Sequence, residues 1–180
     1  YDGIGGLSNE VREKLDRGNA MSVMNAGAAV VVRKMFDEGK FDGIIGMGGS
    51  GGTGIVTSAM RPLPVGLPKF CVSTLAAGDI GPFVGTKDIV MMPSIADVSG
   101  INRISRTILS RAAGAICGMV TSTIPHTTSE RPLIAASMFG NTTTCVDACR
   151  EALDKAGYEV LVFHATGTGG RVLESLADEG

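Results

Sequence analysis

Nine residues from Gly46 to Gly54, GMGGSGGTG, include six glycines. They follow the short apolar run beginning at Phe41 and lead into Thr53–Met60, which reads as a helix ended by Pro62 and Pro64. A strand, a glycine turn and a helix in that order offer unpaired helix N–H donors and a positive dipole end. No Cβ keeps a phosphate away from the backbone. The turn alone would not need six glycines, so anion binding at the Gly46–Gly54 turn is the expectation, with hydroxyls of Ser50, Thr53 and Thr57 as further contacts.

Two fingerprints bear on the ligand. Gly46, Gly48 and Gly51 satisfy the dinucleotide spacing, but the acidic residue wanted about 20 positions on is replaced by Ser73 and Thr74. The phosphate-loop pattern fails because Gly52 stands where its lysine belongs. Positive charge for a polyphosphate would then come from Lys87, Arg103, Arg106 or Arg171, and a divalent cation from Asp79, Asp88 or Asp97. A smaller glycine-rich turn, Thr166, Gly167, Thr168, Gly169 and Gly170, follows a second strand and is a further phosphate or ribose contact by the same reasoning.

Cys145 lies in Gly140-Asn-Thr-Thr-Thr-Cys, near a helix start that favours a thiolate, and His164 ends the next strand. Together they suggest an alternative function, a small-molecule isomerase or lyase working in a cleft between two domains. The competing reading of Cys145 and Cys149 is two small buried side chains one helical turn apart. Cys145, Cys149, His126 and His164 form no zinc pattern, and no metal ligand set is assigned.

The elements that must position these residues alternate. A helix or broken pair covers Ser8–Gly39, strands are predicted at Phe41–Gly49, Lys69–Thr74 and Asp88–Ser94, and Ala76–Lys87 reads as a loop. Ile101, Ile104, Ile108, Leu109, Ala112, Ala115, Ile116 and Met119 recur at helical spacing, with Arg103, Arg106 and Arg111 opposite. Thr121–Glu130 is polar and aperiodic, as a linker would be. Strand, helix, strand, helix then resumes at Leu133–Phe139, Thr142–Ala156, Glu159–His164 and Arg171–Ala177. The fold class is therefore α/β, with mostly parallel sheets and helices on both faces. A first Rossmann-like nucleotide-binding domain is expected over 1–122, a linker over 123–131, and the start of a second Rossmann-like domain over 132–180.

Composition narrows the partners. With 44% hydrophobic residues, a net charge of −2 and no run of like charge, the chain carries no nucleic-acid footprint and no membrane-surface patch. The four cysteines show no CxxC pair, and the apolar runs fall short of the roughly 20 residues that span a bilayer. A cytoplasmic protein with a small-molecule partner is expected, and Tyr1 and Gly180 are not expected to be native ends.

Four blocks, GIIGMGGSGGTG, VSTLAAGDIGPFVGTKDIVMMPSIADVSGINRISR, MFGNTTTCVDACREAL and GYEVLVFHATGTGGR, resemble in matching order the Tm-one-like ATP-binding protein family related to the tomato mosaic virus resistance protein. The resemblance extends over essentially the whole chain. It implies an ATP-binding region of two Rossmann-like domains that self-associates as a homo-oligomer. It also implies a further strand-helix unit ahead of this segment, and a second domain continuing past Gly180. ATP, accompanied by Mg2+, is the cofactor it implies. It places ATP on Gly48–Thr53 and, less directly, on Thr166–Gly170.

Overall fold

In a computed structural model that describes residues 17–123 and 131–179, the order of elements is α1 (Arg17–Asp37), β1 (Ile44–Gly48), α2 (Ser50–Met60), β2 (Lys69–Ser73), α3 (Gly81–Val84), β3 (Val90–Pro93), α4 (Arg103–Thr121), β4 (Leu133–Met138), α5 (Thr143–Lys155), β5 (Glu159–His164) and α6 (Gly169–Glu179). Two units separate after Ser122. Residues 124–130, most of the expected linker and including His126, lie outside the described residues, as does the start of the helix expected from Ser8.

The first unit is built on a parallel sheet of order β1-β2-β3, in which Ile44 pairs with Lys69 and Phe70 with Val90. All five residues of β2 are buried, as a central strand covered on both faces requires. Its side chains alternate. Phe70 and Val72 face α4, where they pack with Ala112 and Ile116, while Cys71 points the other way into Met60 and Ile89, with Val56 of α2 against them. Burial pushes the Cys71 thiol up to about 11. A second helix, α1, lies along α2 on that side.

The apolar stripe predicted in α4 is real from Ile108 onward. Ile101 and Ile104, however, are 66% and 47% exposed and turn away from the core. The helix starts between them, at Arg103, because Asn102 and Ser105 close a reciprocal cap: Asn102 Oδ1 accepts from the N–H of Ile104 and Ser105, and Ser105 Oγ accepts from the N–H of Asn102. Gly39 and Gly157 are the helix stops the sequence suggests. Both take positive φ, and the N–H three residues past each helix bonds back across the last turn, Lys40 to Met35 and Tyr158 to Leu153. The stretch Ala76–Lys87 is not wholly loop, since Gly81–Val84 forms one helical turn.

The second unit pairs β4 with β5 in parallel register, Met138 beside His164, with α5 and α6 packed on them. The mixed α/β class and the parallel strands with intervening helices match the Rossmann-like expectation. Among the described residues no helix is long and apolar enough to cross a membrane.

One buried charge anchors the amino edge of the first sheet. Lys69 is 0% exposed, and its ammonium donates to the carbonyls of Pro64 and Leu67 at 2.7 and 2.8 Å and to Asp88 Oδ1 at 2.7 Å. Burial raises the Asp88 carboxyl, but the Lys69 hydrogen bond and charge and the Gly66 N–H outweigh it, so its pKa sits below the ordinary carboxylate range. A carboxyl depressed in the folded state stabilises above its unfolded pKa and loses that contribution as pH falls through the folded value. Chemical denaturation should therefore show stability declining below about pH 4. Asp88→Asn should flatten that decline and cost about 1–3 kcal/mol at neutral pH by stripping the buried ammonium of its counter-charge.

Candidate functional site

The glycine turn joins β1 to α2 at the carboxyl edge of the first sheet, the edge where open parallel sheets hold ligands. The helix begins at Ser50 rather than Thr53, so Gly51 and Gly52 belong to its first turn. The reason is contact. A Cβ on Gly48 would stand 2.7 Å from the Cα and carbonyl carbon of Gly52 and 2.8 Å from the nitrogen of Thr53, so strand end and helix start meet backbone to backbone. Gly51 in turn faces the Met21 side chain of α1, whose methyl would lie 3.1 Å from an added Cβ.

The N-cap of α2 is Gly49, in extended conformation and with no side chain to cap the helix. The first intrahelical bond is Thr53 N–H to the Gly49 carbonyl at 2.8 Å. The N–H groups of Gly49, Ser50, Gly51 and Gly52 therefore have no acceptor within the helix. This contrasts with α4, whose first donors are taken by Asn102. Ser50 is exposed at the first helical position.

The hydroxyl of Thr53 is directed elsewhere than the sequence suggests. Thr53 is 0% exposed; its Oγ1 donates to the Gly49 carbonyl at 2.7 Å and meets Ser73 Oγ of β2 at 2.6 Å. Ser73 Oγ also accepts from Leu75 N–H at 3.0 Å. Thr57 is likewise buried and donates to the Thr53 carbonyl. The Thr53 hydroxyl ties the turn to the sheet, the Thr57 hydroxyl stays within the helix, and Ser50 is left as the hydroxyl that faces outward. Ser73, which sequence inspection registers only as the absence of an acid, is the residue that locks Thr53. Thr74 follows it, donates its N–H to the Gly48 carbonyl at 3.2 Å, and sets its hydroxyl 3.8 Å from where a Gly49 Cβ would be.

The charged candidates divide by edge. Asp88 is bound to Lys69 at the amino edge, and Lys87 precedes it there, so neither reaches the glycine turn: parallel strands carry their two ends to opposite sides of the molecule. Asp97 lies at the carboxyl edge in the loop after β3, where its Oδ1 accepts from Val98 N–H, and Asp79, in the loop after β2, accepts from Gly81 N–H. Arg103 and Arg106 are exposed in the first turn of α4, on the sheet face opposite α2. Among the described residues no three His, Cys, Asp or Glu side chains gather as a metal site.

In the second unit, the turns Phe139–Thr142 and Ala165–Thr168 sit side by side because β4 and β5 end together. The threonine hydroxyls of the first turn are used internally, Thr142 accepting from Phe139 N–H and Thr143 donating to Gly140. In the second turn Gly167 has positive φ, Thr166 and Thr168 are exposed, and Gly169 and Gly170 begin α6. Gly169 passes against the His164 carbonyl so closely that any Cβ would collide with it. Arg171 is exposed in this helix. Cys145 and Cys149 are exposed, contrary to the buried alternative. The His164 ring stacks on Phe139 at 6.3 Å, and among the described residues no hydrogen bond joins it to Cys145.

A family model described as the N-terminal domain of the uncharacterised protein family UPF0261 matches residues 4–125, and the C-terminal domain model of the same family matches 131–180. A UPF0261 protein of Clostridium tetani is 53% identical over 98% of this chain and 44% of its own length. One from Rhizobium meliloti is 52% identical over 92% of the chain and 40% of its own. The ToMV resistance protein Tm-1 of Solanum lycopersicum is 43% identical over 91% of the chain and 22% of its own. The chain thus spans less than half the length of these curated relatives.

Two outcomes follow from the geometry. Gly48→Ala forces a Cβ into backbone that has nowhere to yield, and its melting curve should show a loss of about 1–3 kcal/mol. In the folded protein a thiol reagent should modify Cys117, Cys145 and Cys149, while Cys71, buried and with its pKa raised, should react only after denaturant is added.

Proposed function

The chain belongs to the uncharacterised protein family UPF0261, and on that footing we propose that it is a nucleotide-binding protein whose phosphates rest on the N-terminus of α2. One observation carries the reading. The N–H groups of Gly49, Ser50, Gly51 and Gly52 open a helix whose cap residue has no side chain, at the ligand-bearing edge of a parallel sheet. An anion placed there satisfies several donors at once and gains from the helix dipole.

ATP with Mg2+ is the ligand we assign, by likeness to the Tm-one-like proteins. The glycine turn itself contributes backbone donors and the Ser50 hydroxyl but no basic side chain. Charge compensation therefore comes from Mg2+, with Asp97 or Asp79 as its carboxylate, or from Arg103 and Arg106. In the second unit Thr166, Gly167, Thr168, Gly169 and Gly170 form a lesser contact of the same kind. Self-association and residence in the cytoplasm complete the proposal. The isomerase or lyase alternative has no hydrogen-bonded Cys145–His164 pair in its support.

The N-cap offers a test in which stability and binding move in opposite directions. An Asp at position 49 has room, since the nearest atom to the new Cβ is Thr74 Oγ1 at 3.8 Å. Its carboxylate would take the bare donors and oppose phosphate. Gly49→Asp should raise stability by about 0.3–1 kcal/mol and weaken ATP by at least about tenfold in calorimetric titration. Undiminished ATP affinity in this variant would sink the proposal.

A further inference from the structure

The loop after β3 contains the most strained backbone among the described residues. Ile95 has a φ of 64°, the only positive value there on a residue other than glycine, and its side chain is 73% exposed. Left-handed backbone is disfavoured for a β-branched residue, and burial of its side chain does not offset the cost here. The surroundings enforce it. Ala96 N–H donates to the Ser94 carbonyl at 2.7 Å, closing a three-residue turn around Ile95, while Ser94 Oγ donates to the Ala96 carbonyl at 2.6 Å and Ser94 N–H donates to the Ser73 carbonyl at 3.1 Å. The loop is thus fastened to the end of β2, beside the Thr53–Ser73 lock.

This fastening shapes a cleft of about 330 Å³ between the ends of β2 and β3, walled by Thr74, Ala77, Pro93, Ile95 and Asp97. Its size is at the lower end of the range for small-molecule sites, and its walls are mostly apolar. Thr74 belongs to both places: it lines the cleft and stands over Gly49, so a single residue lies between the cleft and the N-terminus of α2. At the other side, Asp97 spends one carboxylate oxygen on Val98 N–H and has a second free to accept from a ligand.

We infer that this cleft is the nucleoside half of the site: the ligand's ring lies between Ile95 and Ala77, and a sugar hydroxyl or ring amine donates to Asp97. The inference rests on the phosphate reading of the glycine turn. An inorganic or sugar phosphate would leave the apolar walls wet and the exposed isoleucine without a contact. A ring joined to a polyphosphate covers both. The carboxylate absent after β2, where dinucleotide folds carry theirs, is supplied instead by the loop after β3. Strain at Ile95 is what turns its side chain outward to meet the ring.

Titration of the intact protein with ATP, tripolyphosphate and adenosine separates the two halves. ATP should bind at least about tenfold tighter than tripolyphosphate. Ile95→Gly keeps the left-handed turn and removes the side chain; Ala77→Trp fills the cleft. Each should weaken ATP, by about threefold and at least about tenfold respectively, while tripolyphosphate affinity stays within about twofold. Equal affinity for ATP and tripolyphosphate, or ATP binding untouched by Ala77→Trp, would overturn the inference. If adenosine binds, is displaced by Ala77→Trp, and tripolyphosphate does not bind, the cleft stands and the phosphate turn falls. If none of the three probes binds, both fall.

Discussion

The meeting of backbone with backbone where β1 turns into α2 is the contact on which the first unit depends. Gly48 and Gly52 touch with no side chain between them, and that proximity fixes the helix axis against the sheet. From it follow the position of Thr53 beneath the turn, its hydroxyl contact with Ser73, and the exposure of the first helical N–H groups. A larger residue at position 48 would push the helix outward and break the hydroxyl contact as it did so. The glycine that the sequence offers for anion approach is needed to let the protein approach itself.

Polar chemistry is sorted by the direction of the strands. At the amino edge, a full positive charge is buried and neutralised by Asp88 and two carbonyls; this fixes the start of β2 and the loop before it. At the carboxyl edge, the positive character is partial, belongs to the backbone, and faces outward. That separation keeps the Asp88 carboxylate from competing for the helix donors. The turn GMGGSGGTG carries no basic side chain, which sets it apart from phosphate loops that carry a lysine.

Much of the fold was legible because hydrophobic periodicity and glycine stops are local signals. The buried run Lys69–Ser73, the α4 stripe from Ile108, and the stops at Gly39 and Gly157 were all visible in the sequence, as was the strand-turn-helix order around Gly48. What could not be read were features that depend on contacts between distant residues. The inward turn of Thr53 needs Ser73, twenty positions away. The anchoring role of Asp88 needs Lys69, whose charge gave no hint that it would be buried. Ile95 looked like an ordinary apolar residue, since nothing in its neighbours announces a left-handed backbone. Ile101 and Ile104 obeyed helical spacing, yet the cap at Asn102 leaves Ile101 outside the helix, and Ile104, in its first turn, is exposed.

The Thr53–Ser73 contact has a direction. Each hydroxyl owns one proton. Because Thr53 gives its proton to the Gly49 carbonyl, Ser73 must give its own to Thr53, and Ser73 in turn accepts from Leu75 N–H. A one-way chain of donors therefore runs from the end of β2 to the oxygen of Gly49, which also receives Thr53 N–H. That oxygen is in the same peptide unit as the Ser50 N–H. The Gly48 oxygen, accepting from Thr74 N–H, is likewise in the same unit as the Gly49 N–H. Electron density drawn toward a hydrogen-bonded carbonyl leaves the N–H on the far side of its amide more acidic. Two successive amides are thus polarised from behind, so the sheet, through hydroxyls no ligand can touch, strengthens the donors that an anion would meet.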